Sequence, residues 1–144
     1  MNDRDNILLQ RLAVNLARDP DVDAVYLFGS QARAKAGRLS DIDIGILLGK
    51  QVPAQEYFQR RLVYIGRCCD ILRTDRVDLV ILNDAPLLLA YNVVAPRRIL
   101  VERNRSHRVA FEVDRINRYL DFKPVFDLQV RYVKEHLRRG TYFD

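Results

Sequence analysis

Cysteine is scarce: the chain has two, and they are neighbours, Cys68 and Cys69. An adjacent pair closes no useful loop, which excludes a disulfide framework. The pair also lacks the spacing and companions of a zinc site, so it reads as two small apolar residues on a helix. No apolar run approaches the roughly 20 residues that span a bilayer. The first residues, Met1-Asn2-Asp3-Arg4-Asp5, lack the apolar stretch of a signal peptide, so the expected location is the cytoplasm. There is no internal repeat and no low-complexity segment, which excludes solenoids and compositional linkers.

What is present is an ordinary globular composition. The 144 residues, 49% hydrophobic and 30% charged, suit one domain with a core of its own. A net charge of +5 suits an acidic partner such as a nucleotide, a nucleic acid or an acidic protein surface, and does not choose among them.

Residues 4–18 carry Leu8, Leu9, Leu12, Ala13 and Leu16 at helical spacing, and Asp19-Pro20 ends that helix. Val22 to Phe28 is rich in β-branched and aromatic residues and reads as a strand. Gly29-Ser30 stops it, residues 31–36 read as a short helix, and Gly37 closes that helix. Asp41 to Leu48 is a second strand, followed by a turn to Pro53. Ala54 to Arg73 is a long helix, with Phe58, Leu62, Ile65, Cys69 and Leu72 expected on its buried face. Arg76 to Leu82, Pro86 to Val94 and Arg98 to Glu102 read as strand, short helix and strand. From about Ser106 to Arg139 the pattern is helical, kinked or split at Pro124, and residues 140–144 form a tail. The expected fold is α/β of the α+β kind, a small mixed β-sheet with flanking helices followed by C-terminal helices.

The chemistry concentrates in Gly29-Ser-Gln-Ala-Arg-Ala-Lys-Ala-Gly-Arg-Leu-Ser-Asp-Ile-Asp43. Asp41 and Asp43 are one residue apart on a strand, so both side chains point to one face while Ile42, Ile44 and Ile46 point to the other. Their Cα atoms stand roughly 6.6 Å apart. Carboxylates about 5 Å apart repel by roughly 3 kcal/mol at an effective dielectric near 20. A cation between them, or a retained proton, relieves that repulsion. Hard oxygen ligands without nearby His or Cys select magnesium, calcium or manganese. The bland alternative is two solvated carboxylates at a strand start, beside a turn made by Ser40.

Gly29-Ser30 adds a second signal. A strand that feeds straight into a helix leaves N–H groups free for phosphate, and glycine permits close backbone approach. The Ser30 hydroxyl can add a hydrogen bond, and Arg33, one turn on, can point back at the same anion; otherwise Ser30 is a plain helix cap. Asp78 is the third signal. It stands inside the apolar run Val77-Asp-Leu-Val-Ile81, where a carboxylate needs a metal or a salt bridge, for instance to Arg76.

Together these residues resemble the signature of the DNA polymerase beta nucleotidyltransferase superfamily. Gly29-Ser30 is followed after ten residues by Asp41-Ile-Asp43, and Asp78 occupies a later strand. The resemblance covers roughly residues 20–102. The short length is similar to that of minimal nucleotidyltransferases, with residues 1–104 as the catalytic domain and residues 105–144 as a helical extension packed on or continuing it. One departure is Ala34, where many members have glycine after the arginine; Gly37 follows three residues later. The resemblance implies that Asp41, Asp43 and Asp78 are catalytic and hold magnesium, with two ions expected. It places Gly29, Ser30, Arg33 and Ser40 on the nucleotide, and implies ATP as substrate. Asp78 would serve the attacking hydroxyl.

The chain is short for a second substrate domain. It resembles the minimal-nucleotidyltransferase antitoxins of HEPN toxin pairs, which implies transfer of AMP to a tyrosine of a HEPN-domain ribonuclease toxin. The stripes Val113-Ile116-Leu120 and Phe126-Val130-Val133-Leu137 offer either a docking surface for that partner or packing against the sheet. The alternatives are an adenylyltransferase for small molecules, of the aminoglycoside-modifying kind, and a non-catalytic partner that masks a toxin. The basic balance argues against the first and the intact carboxylates against the second. No membrane partner is expected, and direct nucleic-acid binding is not expected either. Arg131 and His136 match the loose Arg-x4-His pattern of HEPN ribonucleases, a match that so many arginines produce by chance. His107 and His136 otherwise read as surface helix residues, and Arg97, Arg98, Arg103, Arg105 and Arg108 as a solvated basic edge.

Overall fold

Ile42, Ile44 and Ile46 alternate with Asp43, Gly45 and Leu47 along one strand, and this alternation sorts the faces of the whole sheet. The structure, a computed structural model, describes residues 3–29 and 41–140. Ser30, Arg33, Ser40, the expected helix at 31–36, Gly37 and the tail residues 141–144 lie outside the described residues. The elements are α1 (Asp3–Ala17), β1 (Val22–Phe28), β2 (Ile42–Leu48), α2 (Tyr57–Leu72, after a 3-10 turn at Ala54–Glu56), β3 (Val77–Ile81), α3 (Leu87–Val94), β4 (Ile99–Glu102) and α4 (Arg105–Arg139).

The sheet order is β3-β2-β1-β4. β1 runs antiparallel to β2 and β4, while β2 and β3 are parallel. The parallel pair needs a crossover, and α2 supplies it. The sheet is therefore mixed, as the short link between β1 and β2 leads one to expect.

α1 and α2 cover the isoleucine face. Leu8, Leu9, Leu12 and Leu16 of α1 meet Val25, Leu27, Ile44 and Ile46, with Tyr64, Cys68 and Leu72 of α2 beside them. Leu12 and Leu16 are completely buried, each a transfer gain of about 1.5–3 kcal/mol. The opposite face carries Ala24, Tyr26 and Leu47 under Ala90, Val93 and Val94 of α3 and Phe111 of α4.

Three expectations need correction. In α2, Phe58 and Leu62 are exposed, and the buried stripe is Tyr64, Cys68 and Leu72, with Tyr57 partly buried. Tyr64 tolerates the core because its hydroxyl reaches out to Asp19 Oδ2 at 3.1 Å. Pro124 does not split the last helix, which is continuous from Arg105 to Arg139. The carbonyl that proline leaves without its usual donor belongs to Leu120, an exposed residue, so water can serve it. Nor is the basic edge all solvated. Arg108 is buried, 2.7 Å from Glu112 Oε1, and Arg97 Nε lies 3.4 Å from Glu112 Oε2. Glu112 also accepts the Tyr26 hydroxyl, tying α4 to the centre of β1. Burial works against the Arg108 charge, but Glu112, Tyr26 and Glu102 outweigh it and hold the guanidinium proton above its usual range.

The cysteines behave as expected. Both are free, and burial pushes the Cys68 thiol up to about 12, which keeps it unreactive.

Candidate active site

Three strand ends meet at one end of the sheet. Phe28 pairs in register with Asp43, and Asp43 with Asp78 across the parallel ladder. Neighbouring strands lie about 4.8 Å apart, and in-register residues share a face. β1 then leaves the sheet at Gly29, whose φ is +72°. A Cβ built on Gly29 would stand 2.0 Å from Asp43 Oδ2. Only glycine combines that backbone conformation with that approach.

One step further along the same face, α3 sits on the sheet. A Cβ on Gly45 would come within 2.8 Å of Val93 Cγ1. Gly45 is buried under this cover, whereas Asp43 is half-buried, and Asp41 and Asp78 are exposed. The carboxylates thus form a row at the margin between the covered sheet and solvent. Asp41 stands just before β2 rather than within it.

Burial first, then the charges of Asp78 and Asp41, hold the Asp43 carboxyl above the usual carboxylate range. Among the described residues, this is a site of concentrated negative charge in which Asp43 forms no salt bridge. Asp78 has a cation near it, since Arg61 Nη2 of α2 lies 4.0 Å from Asp78 Oδ1. Arg61 is fixed by its Nε, which donates to the Leu79 carbonyl at 2.7 Å. Sequence reasoning missed Arg61. It is one of several arginines on an amphipathic helix, and only the crossover brings it beside Asp78.

The donor set fits a hard divalent cation: it is all carboxylate oxygen, and its central member is destabilised by two like charges. Among the described residues, no three His, Cys, Asp or Glu side chains are already gathered into a metal-holding group. The fit therefore lies in charge and ligand chemistry, not in a preassembled cage. A groove of about 590 Å³ between α1 and α2, lined by Ile7, Arg11, Val14 and Arg73 among others, lies on the face opposite Asp43 and takes no part in this chemistry.

The mixed four-stranded sheet with flanking helices and a C-terminal helix is a nucleotidyltransferase-like fold. The sequence profile of the family described as "Polymerase beta, Nucleotidyltransferase" matches residues 10–106, and the chain belongs to that family. Similar solved structures include a chain of a toxin–antitoxin complex with AMP-PNP, at 26% identity and a TM-score of 0.69, covering 87% of this chain and 98% of that one. A second is a chain of the tri-AMPylated Shewanella oneidensis HEPN toxin in complex with its MNT antitoxin, at 25% identity and a TM-score of 0.66, covering 89% and 98%. A third is a chain of the toxin–antitoxin MntA–HepT, at 25% identity and a TM-score of 0.65, covering 89% and 98%. No curated protein sequence gives a significant match. Among the described residues, no helix is long and apolar enough to cross a membrane.

Proposed function

We propose that this chain transfers AMP from ATP to a tyrosine hydroxyl of a partner HEPN-type ribonuclease toxin and acts as its antitoxin. The observation that carries the reading is the in-register pairing of Asp43 with Asp78 beside the Gly29 turn. Family membership supports nucleotidyl transfer. The similarity to toxin–antitoxin complexes, one with AMP-PNP and one with an AMPylated toxin, supports the nucleotide and the acceptor.

Asp41 and Asp43 would hold magnesium against the triphosphate, and Asp78 would complete the site for a second ion. When bound, these ions neutralise phosphate charge and acidify the attacking hydroxyl. Asp78, whose side chain is 69% exposed, faces the side from which a protein acceptor enters, and its carboxylate takes the tyrosine proton. The backbone at Gly29, with Ser30, Arg33 and Ser40, holds the outer phosphates. The tyrosine oxygen bonds to the α-phosphorus in line, the bond to the bridging oxygen breaks, and pyrophosphate leaves. A tyrosine has a reference pKa of about 10, so it requires this activation at neutral pH. Each AMP adds negative charge and bulk, which repels and occludes RNA at a ribonuclease site. The use of ATP proposed here is in keeping with a cytoplasmic location.

The test is to incubate this protein with ATP, magnesium and the HEPN-domain toxin, then map the toxin by mass spectrometry. The expected result is AMP on a toxin tyrosine. A neutralised toxin that carries no nucleotide overturns the reading in favour of masking by binding.

A further inference from the structure

α4 outgrows the domain that it packs on. Its 35 residues rise about 52 Å at 1.5 Å per residue. His107 Nδ1 lies 2.6 Å from Asp23 Oδ2, near the start of β1, and Glu112 meets Tyr26 further along that strand. The helix therefore runs in the direction of β1, towards the end where Gly29, Asp43 and Asp78 stand. Tyr119, stacked on Tyr91 of α3 with centroids 3.7 Å apart, is the last ring contact to the body of the domain. Beyond it, no residue from 120 to 140 is buried.

The helix side that is buried against the sheet through Arg108, Phe111 and Glu112 continues without interruption. At about 100° per residue, Phe122, Phe126, Val130, Val133 and Leu137 extend the same side; Phe122, Val130 and Leu137 are exposed, and Phe126 and Val133 are only partly covered. Leu137 is 54% exposed. The rest of this segment's surface carries the Lys123–Asp127 and Glu135–Arg139 pairs on one flank and exposed Val125, Leu128 and Tyr132 on the other. Arg131, Lys134 and Arg138 join Glu135 around a shallow basic recess on the charged flank.

We infer that residues 121–139 form a docking arm for the acceptor protein, which receives the apolar stripe in a groove between its own helices and meets the basic flank with carboxylates. The inference rests on the proposed reaction for the identity of the acceptor. Three observations select this occupant. The arm projects from the catalytic end of the sheet, so whatever it grips is presented to Asp78. Its basic residues, on a chain of net charge +5, disfavour a second copy and favour an acidic rim. The apolar stripe from Phe122 to Leu137 runs about 23 Å along the helix, with anchors at the helical spacing that a helix-in-groove contact uses. Docking then supplies the orientation that a bimolecular transfer otherwise lacks.

The test uses the full chain and the HEPN-domain toxin as acceptor, with two variants: Phe126→Asp with Val133→Asp, and Arg131→Glu with Lys134→Glu and Arg138→Glu. The second changes only solvent-facing groups and leaves the packing intact. Complex formation is read by size-exclusion chromatography with light scattering, transfer by mass spectrometry, and ATP–magnesium binding by calorimetry. The expected result is a rise of at least about tenfold in the acceptor KM for both variants, with ATP affinity unchanged. Loss of the complex in both variants, where the parent chain binds the toxin without transferring AMP, supports the arm and overturns the reaction. Unchanged acceptor binding in both variants overturns the arm. So does a parent dimer that the first variant splits while toxin binding persists, since that assigns the stripe to a second copy.

Discussion

Gly29 and Asp43 occupy space that a single extra methyl group would contest. The Cβ position of residue 29 falls 2.0 Å from the Asp43 carboxylate, and the Gly29 φ of +72° already disfavours any side chain. The residue that follows one strand and the central carboxylate of the next are thus fitted to each other.

Gly29→Ala should therefore lose more than 100-fold in transfer activity while costing about 1–3 kcal/mol of stability. Urea unfolding beside a transfer assay checks this. Near-parent activity would show that Asp43 does not need its present position.

Asp43→Asn should abolish transfer and raise the unfolding midpoint at neutral pH when no divalent metal is present. The sign follows from the raised carboxyl, held up by burial, then Asp78, then Asp41. A folded-state value above the unfolded one of about 3.9 makes the ionised form costly, so the variant's advantage exists at neutral pH and vanishes below about pH 4. Magnesium should stabilise the parent and leave the variant unmoved. Thermal unfolding at pH 7 and pH 3.5, with and without magnesium, decides it.

Asp78→Asn should spare ATP–magnesium affinity more than turnover, because Asp78 is assigned to the attacking side alone. Calorimetric titration set beside the transfer rate tests the division of roles. A proportional fall in both would sink it.

Asp21→Asn should cost about 0.5–1 kcal/mol at neutral pH. Hydrogen bonds from Arg60, 2.6 Å away, and then from Gln51 hold the Asp21 carboxyl below its usual range despite partial burial. A depressed carboxyl stabilises above the unfolded value of about 3.9 and loses that contribution as pH falls through the folded one. Parent and variant should therefore converge in denaturation curves recorded near pH 2.

Glu112→Ala should be the most damaging of these changes, at about 3–5 kcal/mol, since it leaves Arg108 buried without its closest carboxylate. Glu112→Gln keeps an acceptor for Tyr26 and Arg108 and should cost less. Chemical denaturation of the pair measures the difference.

Much of the fold was legible because alternation and helical period are local signals. Val22 to Phe28 is a strand in both readings, and the Ile42-Ile44-Ile46 face is the core face. The candidate site was legible in part. Spacing placed Asp41 and Asp43 on one side of a strand, but their relation to Asp78 depends on a parallel register that no local pattern encodes. The α2 face was misread because Tyr57 and Tyr64 look amphipathic in sequence, and the partner that satisfies Tyr64, Asp19, lies 45 positions away. Arg108 and Glu112 look like an exposed i, i+4 pair; only the Tyr26 hydroxyl beneath them makes a buried network.

Arg61 has a consequence for association that its place beside Asp78 does not suggest. β3 is an outer strand of the sheet, and an open strand edge invites a foreign strand to add itself. The Arg61 Nε occupies the Leu79 carbonyl on that margin, removing one of the acceptors that an incoming strand would use. Arg61→Met would free that acceptor and take away the charge beside Asp78 together. The outcome would be slow self-assembly into higher-order species on concentration, visible as drifting light scattering, rather than simple unfolding. The guanidinium would then shield an open strand edge at the same margin as the candidate site.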